Sequence, residues 1–122
     1  MFDDRSPIYQ QIADQIKADI LRGTLHADEQ VMSTNQYAAF YRINPATAAK
    51  GFALLIEEGV LYKKRGIGMF VSQDARQRLR ERRQELFYVE VVDAMVAEAR
   101  MIGIPLGEII DRLRRAEGEQ PR

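Results

Sequence analysis

The chain has no cysteine, so disulfides, thiol catalysis and thiolate metal sites are closed to it. Its one histidine, His26, stands outside any His/Asp/Glu cluster with metal-ligand spacing. Glu57 and Glu58 are adjacent, which splays them on a helix and rules out a paired acid and base. Gly66-Ile67-Gly68 is too short for a dinucleotide loop and lacks the helix that must follow one. No nucleophile sits beside a base. The sequence therefore predicts neither an enzyme nor a metal or cofactor.

What remains is a set of polar and cationic residues spaced for contact with a polyanion. On a helix starting at Pro45, Ala48, Phe52 and Leu55 cluster within about 60° of one another. The opposite face carries Ala46, Lys50, Ala53 and Glu57, with Thr47 on its flank. Small residues beside one lysine let a helix enter a DNA major groove. There Lys50 reaches guanine acceptors, Thr47 a phosphate or base edge, and Ala46 a thymine methyl. The same pattern also fits a solvated helix face. Further on, Lys63-Lys64-Arg65 precedes Gly66-Ile67-Gly68, placing three cations at a glycine turn. An arginine at such a tip suits a minor groove, and a lysine-rich hairpin also protects an edge strand. The two features together favour DNA.

The elements that position these residues follow from caps and periodicity. Ser6-Pro7 reads as an N-cap and first helical residue, and Ile8, Ile12, Ile16 and Ile20 form a stripe up to Arg22-Gly23. Residues Thr24 to Met32 read as a loop. Ser33-Thr34-Asn35-Gln36 is a capping box opening a second helix to about Tyr41, with Tyr37, Ala38 and Tyr41 inward. After Arg42-Ile43, Asn44-Pro45 caps a third helix running to about Glu58. Helices two and three have helix-turn-helix spacing. Val60 to Lys64 and Met69 to Val71 then read as the arms of a β-hairpin.

From Asp74 the sequence reads as an amphipathic helix of about 28 residues, broken at Gly103-Ile104-Pro105. A last helix carries Leu106, Ile109, Ile110 and Leu113, and Gly118 to Arg122 reads as frayed. This tail cannot bury its stripe alone, and Leu79, Leu86, Val89, Val92, Val96, Ile109, Ile110 and Leu113 are its candidate packing residues. Met95 and Met101 read as core. Arg76 to Arg83 holds five arginines and one glutamate, read as a solvated surface rather than a DNA contact.

At this point the sequence resembles a known family. Pro7-Ile8-Tyr9-Gln10-Gln11-Ile12, then Asn44-Pro45-Ala46-Thr47, then Glu58-Gly59-Val60-Leu61 leading to Arg65-Gly66-Ile67-Gly68-Met69-Phe70-Val71, are similar to the winged-helix domain of GntR bacterial transcription regulators. The short helical tail resembles the YtrA subfamily. The resemblance implies a mainly α fold with a small β-hairpin, a winged helix-turn-helix domain over residues 1–72, and a two-helix dimerisation tail over residues 73–122. It implies a homodimeric repressor that binds a double-stranded, twofold-symmetric operator, with half-sites about 34 Å apart or a related spacing. With the helix face and hairpin read above, the residues expected to meet DNA are Ser33, Asn35, Asn44, Ala46, Thr47, Lys50, Lys64, Arg65, Gly66, Ile67 and Gly68, of which Thr47, Lys50 and Arg65 to Gly68 match family positions. The family usually has Leu-Pro-Ser-x-Arg before helix two; here Val31-Met32-Ser33-Thr34-Asn35 replaces it, so Asn35 stands where a DNA-contacting arginine is usual. Ala48 and Gly51 stand where larger or more helix-favouring residues are common, which predicts a softer helix three. The tail leaves little volume for an effector pocket, so an unidentified small-molecule effector has room only at the dimer interface. The reading from another class is a winged-helix protein-interaction module that binds no DNA.

The charge balance bears on this. The 122 residues carry 18 Lys+Arg against 18 Asp+Glu, with 46% apolar residues. Residues 1–72 hold 8 of each sign and residues 73–122 hold 10 of each. Neutrality then predicts a small basic footprint (Arg42, Lys50, Lys63, Lys64 and Arg65) on a balanced body, with modest nonspecific affinity. The apolar runs are too short to span a bilayer, and the acidic start Met1-Phe2-Asp3-Asp4-Arg5 has no signal core, so the expected site of action is cytoplasmic.

Overall fold

The computed structural model describes residues 2–118; residues 119–122 of the tail read as frayed lie outside the described residues. The chain forms two compact units, the first ending at Glu81 and the second beginning at Arg82. The winged unit extends past the expected boundary at residue 72 because the start of the following helix completes its core.

In the first unit the order is α1 (Ile8–Arg22), α2 (Thr34–Tyr41), α3 (Pro45–Glu57), β1 (Leu61–Lys64), β2 (Gly68–Val71) and the start of α4 (Ala75–Phe87). The stripe of α1 buries Ile12, Ile16 and Ile20, while Ile8 is 40% exposed. A strict four-residue spacing advances about 40° per step, so one end of such a stripe drifts off the core. Ser6 is not the cap: Pro7 holds the cap position without a side-chain bond. The arm before it is instead tied to Gln11, whose Nε2 donates to the carbonyls of Asp3 and Ser6, each at 2.7 Å.

The core joins Ile12, Ala13, Ile16 and Ile20 of α1 to Tyr37 and Ala38 of α2, Ala48, Phe52 and Leu55 of α3, and Val60, Leu61, Met69, Val71 and Ala75. Phe52 meets Tyr37 edge-on, ring centroids 5.3 Å apart. The Tyr37 hydroxyl donates to Gln15 at 2.9 Å, and burial pushes its pKa up to about 12. Gly51 corrects the sequence expectation. A Cβ there would meet the Tyr9 carbonyl at 3.0 Å and Ile12 Cγ2 at 3.1 Å. Its missing side chain is what lets α1 and α3 pack closely, so it serves helix packing rather than softening the helix.

Leu79 packs against this same core, not on the tail stripe assigned to it from sequence. Arg78 bonds the carbonyls of Glu58 and Gly59 and pairs with Asp74 at 3.0 Å. It satisfies carbonyls left open at the end of α3.

In the second unit α4 continues into a π-helical turn (Tyr88–Val92), α5 (Asp93–Ile102) and α6 (Leu106–Ala116). The single long helix read from sequence is thus interrupted by one wide turn, closed by the Asp93 N–H donating to the Tyr88 carbonyl. Gly103, at φ 78°, ends α5 in the left-handed conformation. Among the described residues of this unit only Ala99 is buried. Met95 and Met101, read as core, are 37% and 78% exposed in the single chain. Leu86, Val92, Val96 and Ile109 are half-buried, and Val89, Ile110 and Leu113 exposed. The residues of α5 and α6 line an apolar cleft of about 340 Å³ containing Met95, Ile102, Ile104, Ile109 and Leu113. Among the described residues, no helix is long and apolar enough to cross a membrane.

Candidate nucleic-acid interface

Helices α2 and α3 are started by the two caps the sequence announced. Ser33 Oγ accepts from the Gln36 N–H at 3.1 Å, and Gln36 Oε1 accepts from the Ser33 N–H at 3.0 Å. Asn44 Oδ1 accepts from the Ala46 N–H at 2.8 Å, with Pro45 in the first turn. Between them Arg42 adopts φ 55°, an uncommon left-handed state for a residue with a long side chain. That single residue makes the sharp turn, and the Ile43 N–H closes it on the Ala38 carbonyl at 3.0 Å. Ser33 and Asn44 therefore spend an acceptor each on the helix starts they define. Their remaining donors and the exposed Asn35 side chain stay open to solvent.

On α3 the side facing away from Ala48, Gly51, Phe52 and Leu55 is open. Ala46, Lys50 and Ala53 are exposed and Thr47 half-buried. Small side chains around Lys50 keep that face shallow, as groove entry requires. The Lys50 ammonium lies 4.1 Å from the centroid of the Tyr9 ring on α1. Tyr9 is the residue the sequence reading missed at this site. The motif that contains it was visible, but its meeting with Lys50 depends on the α1–α3 packing.

The hairpin pairs Leu61 with Val71 and Lys64 with Gly68, leaving Arg65, Gly66 and Ile67 as the tip. Gly66 takes φ 77°, and Ile67 donates to the Lys64 carbonyl at 3.0 Å. Lys63, Lys64, Arg65, Gly66 and Ile67 are all exposed. Lys64 lies 5.1 Å from the Phe70 ring centroid, and Phe70 stacks on Tyr62 at 5.6 Å. Gly68 does a separate job. A Cβ there would meet Gln30 Nε2 at 2.5 Å, because Gln30 reaches across to the Ile67 carbonyl. The residues read as a plain loop before α2 thus brace the wing, and Gln30 forms a β-bridge with Phe70.

Asp28 completes that brace. Its carboxylate accepts from the Tyr62 hydroxyl at 2.8 Å and from Gln73 Nε2 at 3.1 Å. These bonds, the tyrosine one foremost, hold the carboxyl below its ordinary range. A lowered folded-state pKa stabilises at pH above the unfolded value and is lost as pH falls through the folded one. Asp28→Asn, which tolerates the left-handed backbone at φ 63°, is expected to melt lower than the parent at neutral pH. The gap should close below about pH 4, measured by thermal melts across pH. A gap that persists in acid would remove Asp28's charge from the explanation.

The cations of residues 1–72 fall into two sets by their partners. Of the eight cations there, Arg5, Lys17 and Arg22 each pair with a carboxylate. Arg42, Lys50, Lys63, Lys64 and Arg65 have no carboxylate within 4.0 Å among the described residues. Cations with no close carboxylate, on a helix-turn-helix and a hairpin tip of a neutral domain, are the residue type that a polyanion requires.

The comparisons with known proteins agree with this geometry. The model of the gntR family of bacterial regulatory proteins matches residues 8–71. The chain is 29% identical over 109 residues to the transcriptional repressor YtrA of Bacillus subtilis, covering 88% of this chain and 83% of that protein. A GntR-family regulator structure from Bacteroides thetaiotaomicron is 32% identical, with TM-score 0.74 over 91% of this chain and 96% of that one. The DNA-binding domain of AraR, solved in complex with operator ORX1, matches at 25% identity and TM-score 0.55, covering 59% of this chain and 93% of that one. Helix-turn-helix, braced wing and short helical tail together place the chain in the GntR family of bacterial regulatory proteins, as a DNA-binding transcription regulator.

Proposed function

We propose that this regulator acts in the cytoplasm as a homodimeric repressor on a twofold-symmetric operator. The observation that carries the reading is the set of five cations on α3, the helix-helix turn and the wing with no carboxylate within 4.0 Å among the described residues. In this reading Thr47, Ala46 and Lys50 read base edges from the major groove, and Asn35, Lys64 and Arg65 hold phosphates or the adjacent minor groove. Gly66 lets the wing backbone approach the duplex beside the exposed Ile67, while Gly68 leaves room for the Gln30 brace. The dimer is supported by the tail, where Val89, Ile102 and Leu113 are more than half exposed in the single chain. A second tail covers such a surface. We assign the α5–α6 cleft to the partner's tail rather than to a small-molecule effector.

Selection of bound sequences from a random duplex pool tests the proposal, with a palindrome as the expected product. Enrichment of no sequence at physiological salt would sink it and favour a protein-binding winged helix. On the selected operator, Lys50→Ala is expected to lose about 1–3 kcal/mol per half-site and to relax preference at one base position. Arg65→Ala should weaken all duplexes evenly and reduce the salt slope by about 1 for each phosphate that is no longer neutralised. Fluorescence anisotropy at several salt concentrations reads both effects.

A further inference from the structure

The geometry points to Tyr9 as a positioning residue that holds Lys50 in place for DNA: its ring on α1 carries the lysine ammonium of α3. The inference rests on the reading of Lys50 as a groove residue. The chain of observations begins at Gly51, next to Lys50. With no side chain there, the Tyr9 carbonyl lies only 3.0 Å from where a Cβ would stand. That close approach brings the two helices together at this level and leaves the Tyr9 ring beside Lys50. The ammonium then sits 4.1 Å from the ring centroid, inside the range of a cation–π interaction.

The arrangement has a consequence for binding. A free lysine samples many rotamers and loses that freedom when it docks. Lys50 has no carboxylate within 4.0 Å among the described residues, so the ring is what restrains it. A ring face takes up one side of the ammonium and leaves its other N–H directions open, so Lys50 can bond a base or phosphate while it stays on the ring. A carboxylate in the same place would neutralise the charge; an aromatic ring orients it and leaves it cationic. The wing repeats the arrangement with Lys64 on Phe70, at 5.1 Å.

The test uses the full-length chain and the selected operator duplex. Tyr9→Leu is expected to weaken operator binding about two- to tenfold per half-site, the ordering cost of one long side chain that the ring no longer restrains beforehand. Tyr9→Phe keeps the ring and should bind like the parent. A double-mutant cycle supplies the readout that a merely structural role would not move: in a Lys50→Ala background, Tyr9→Leu should have no further effect. Melting temperatures of each variant show that the fold is retained. Equal losses for Tyr9→Phe and Tyr9→Leu would overturn the proposal in favour of the hydroxyl. Additive losses in the cycle would overturn it in favour of packing, and tighter binding by Tyr9→Leu would mean that the ring holds Lys50 away from DNA. If Lys50→Ala alone changes nothing, it is the reading of Lys50 itself that fails.

Discussion

A chain ending at Glu81 is expected to fold as a monomer and to bind the operator about two to four orders of magnitude more weakly than the full protein. The cut keeps Ala75, Leu79 and Arg78, which finish the core and cover the end of α3. It removes only the second unit, beginning at Arg82. Each winged domain would then meet its half-site alone, without the effective concentration a linked partner supplies. Sedimentation velocity and operator titration of the truncated chain measure the two halves of this expectation. A truncated chain that still self-associates would place the dimer interface on the winged unit. A cut at Ser72 is a poorer experiment. It deletes the fully buried Ala75 and would confuse loss of dimer with loss of fold.

Phe52→Ala is expected to remove about 3–5 kcal/mol of stability, the cost of emptying an aromatic site in a close-packed core. Phe52 is 2% exposed, edge-on to Tyr37, in the core that all three helices share. In a small domain of ordinary stability that is a large share of the total. The melting temperature should fall by about 15 °C or more, read by circular dichroism. Phe40→Ala serves as the control. Phe40 is 67% exposed, and its loss should stay within about 0.5 kcal/mol. A mild Phe52→Ala effect would show that the core relaxes into the space, which the packing of α1 on α3 at Gly51 argues against.

Much of the candidate interface was legible because it is written in short-range chemistry. The Ser33–Gln36 capping box spans four residues, the Asn44–Ala46 cap three, and the Gly66 turn three. Interactions that close within a few residues do not depend on how the rest of the chain packs, so residue type and spacing suffice to predict them. The face of α3 was legible for the same reason, since helical periodicity alone separates Phe52 from Lys50.

Where interactions join distant parts of the chain, sequence went astray or was silent. Gly51 read as a weak helix residue because its reason, the Tyr9 carbonyl, lies on another helix. Leu79 fitted the tail's apolar period, yet the winged core takes it, since periodicity cannot say which neighbour fills a stripe. Asp28 lies 34 residues from Tyr62 and 45 from Gln73, so nothing local marks it as the wing's brace. The π-helical turn at Tyr88 leaves no distinct trace in the apolar pattern. By itself, the sequence determined the elements of the winged unit and the caps of α2 and α3, because those follow from local torsional and hydrogen-bonding preferences. Tertiary structure alone decided where the winged unit ends, why Gly51 is glycine and what steadies Lys50, because each depends on surfaces that become neighbours only when the chain packs.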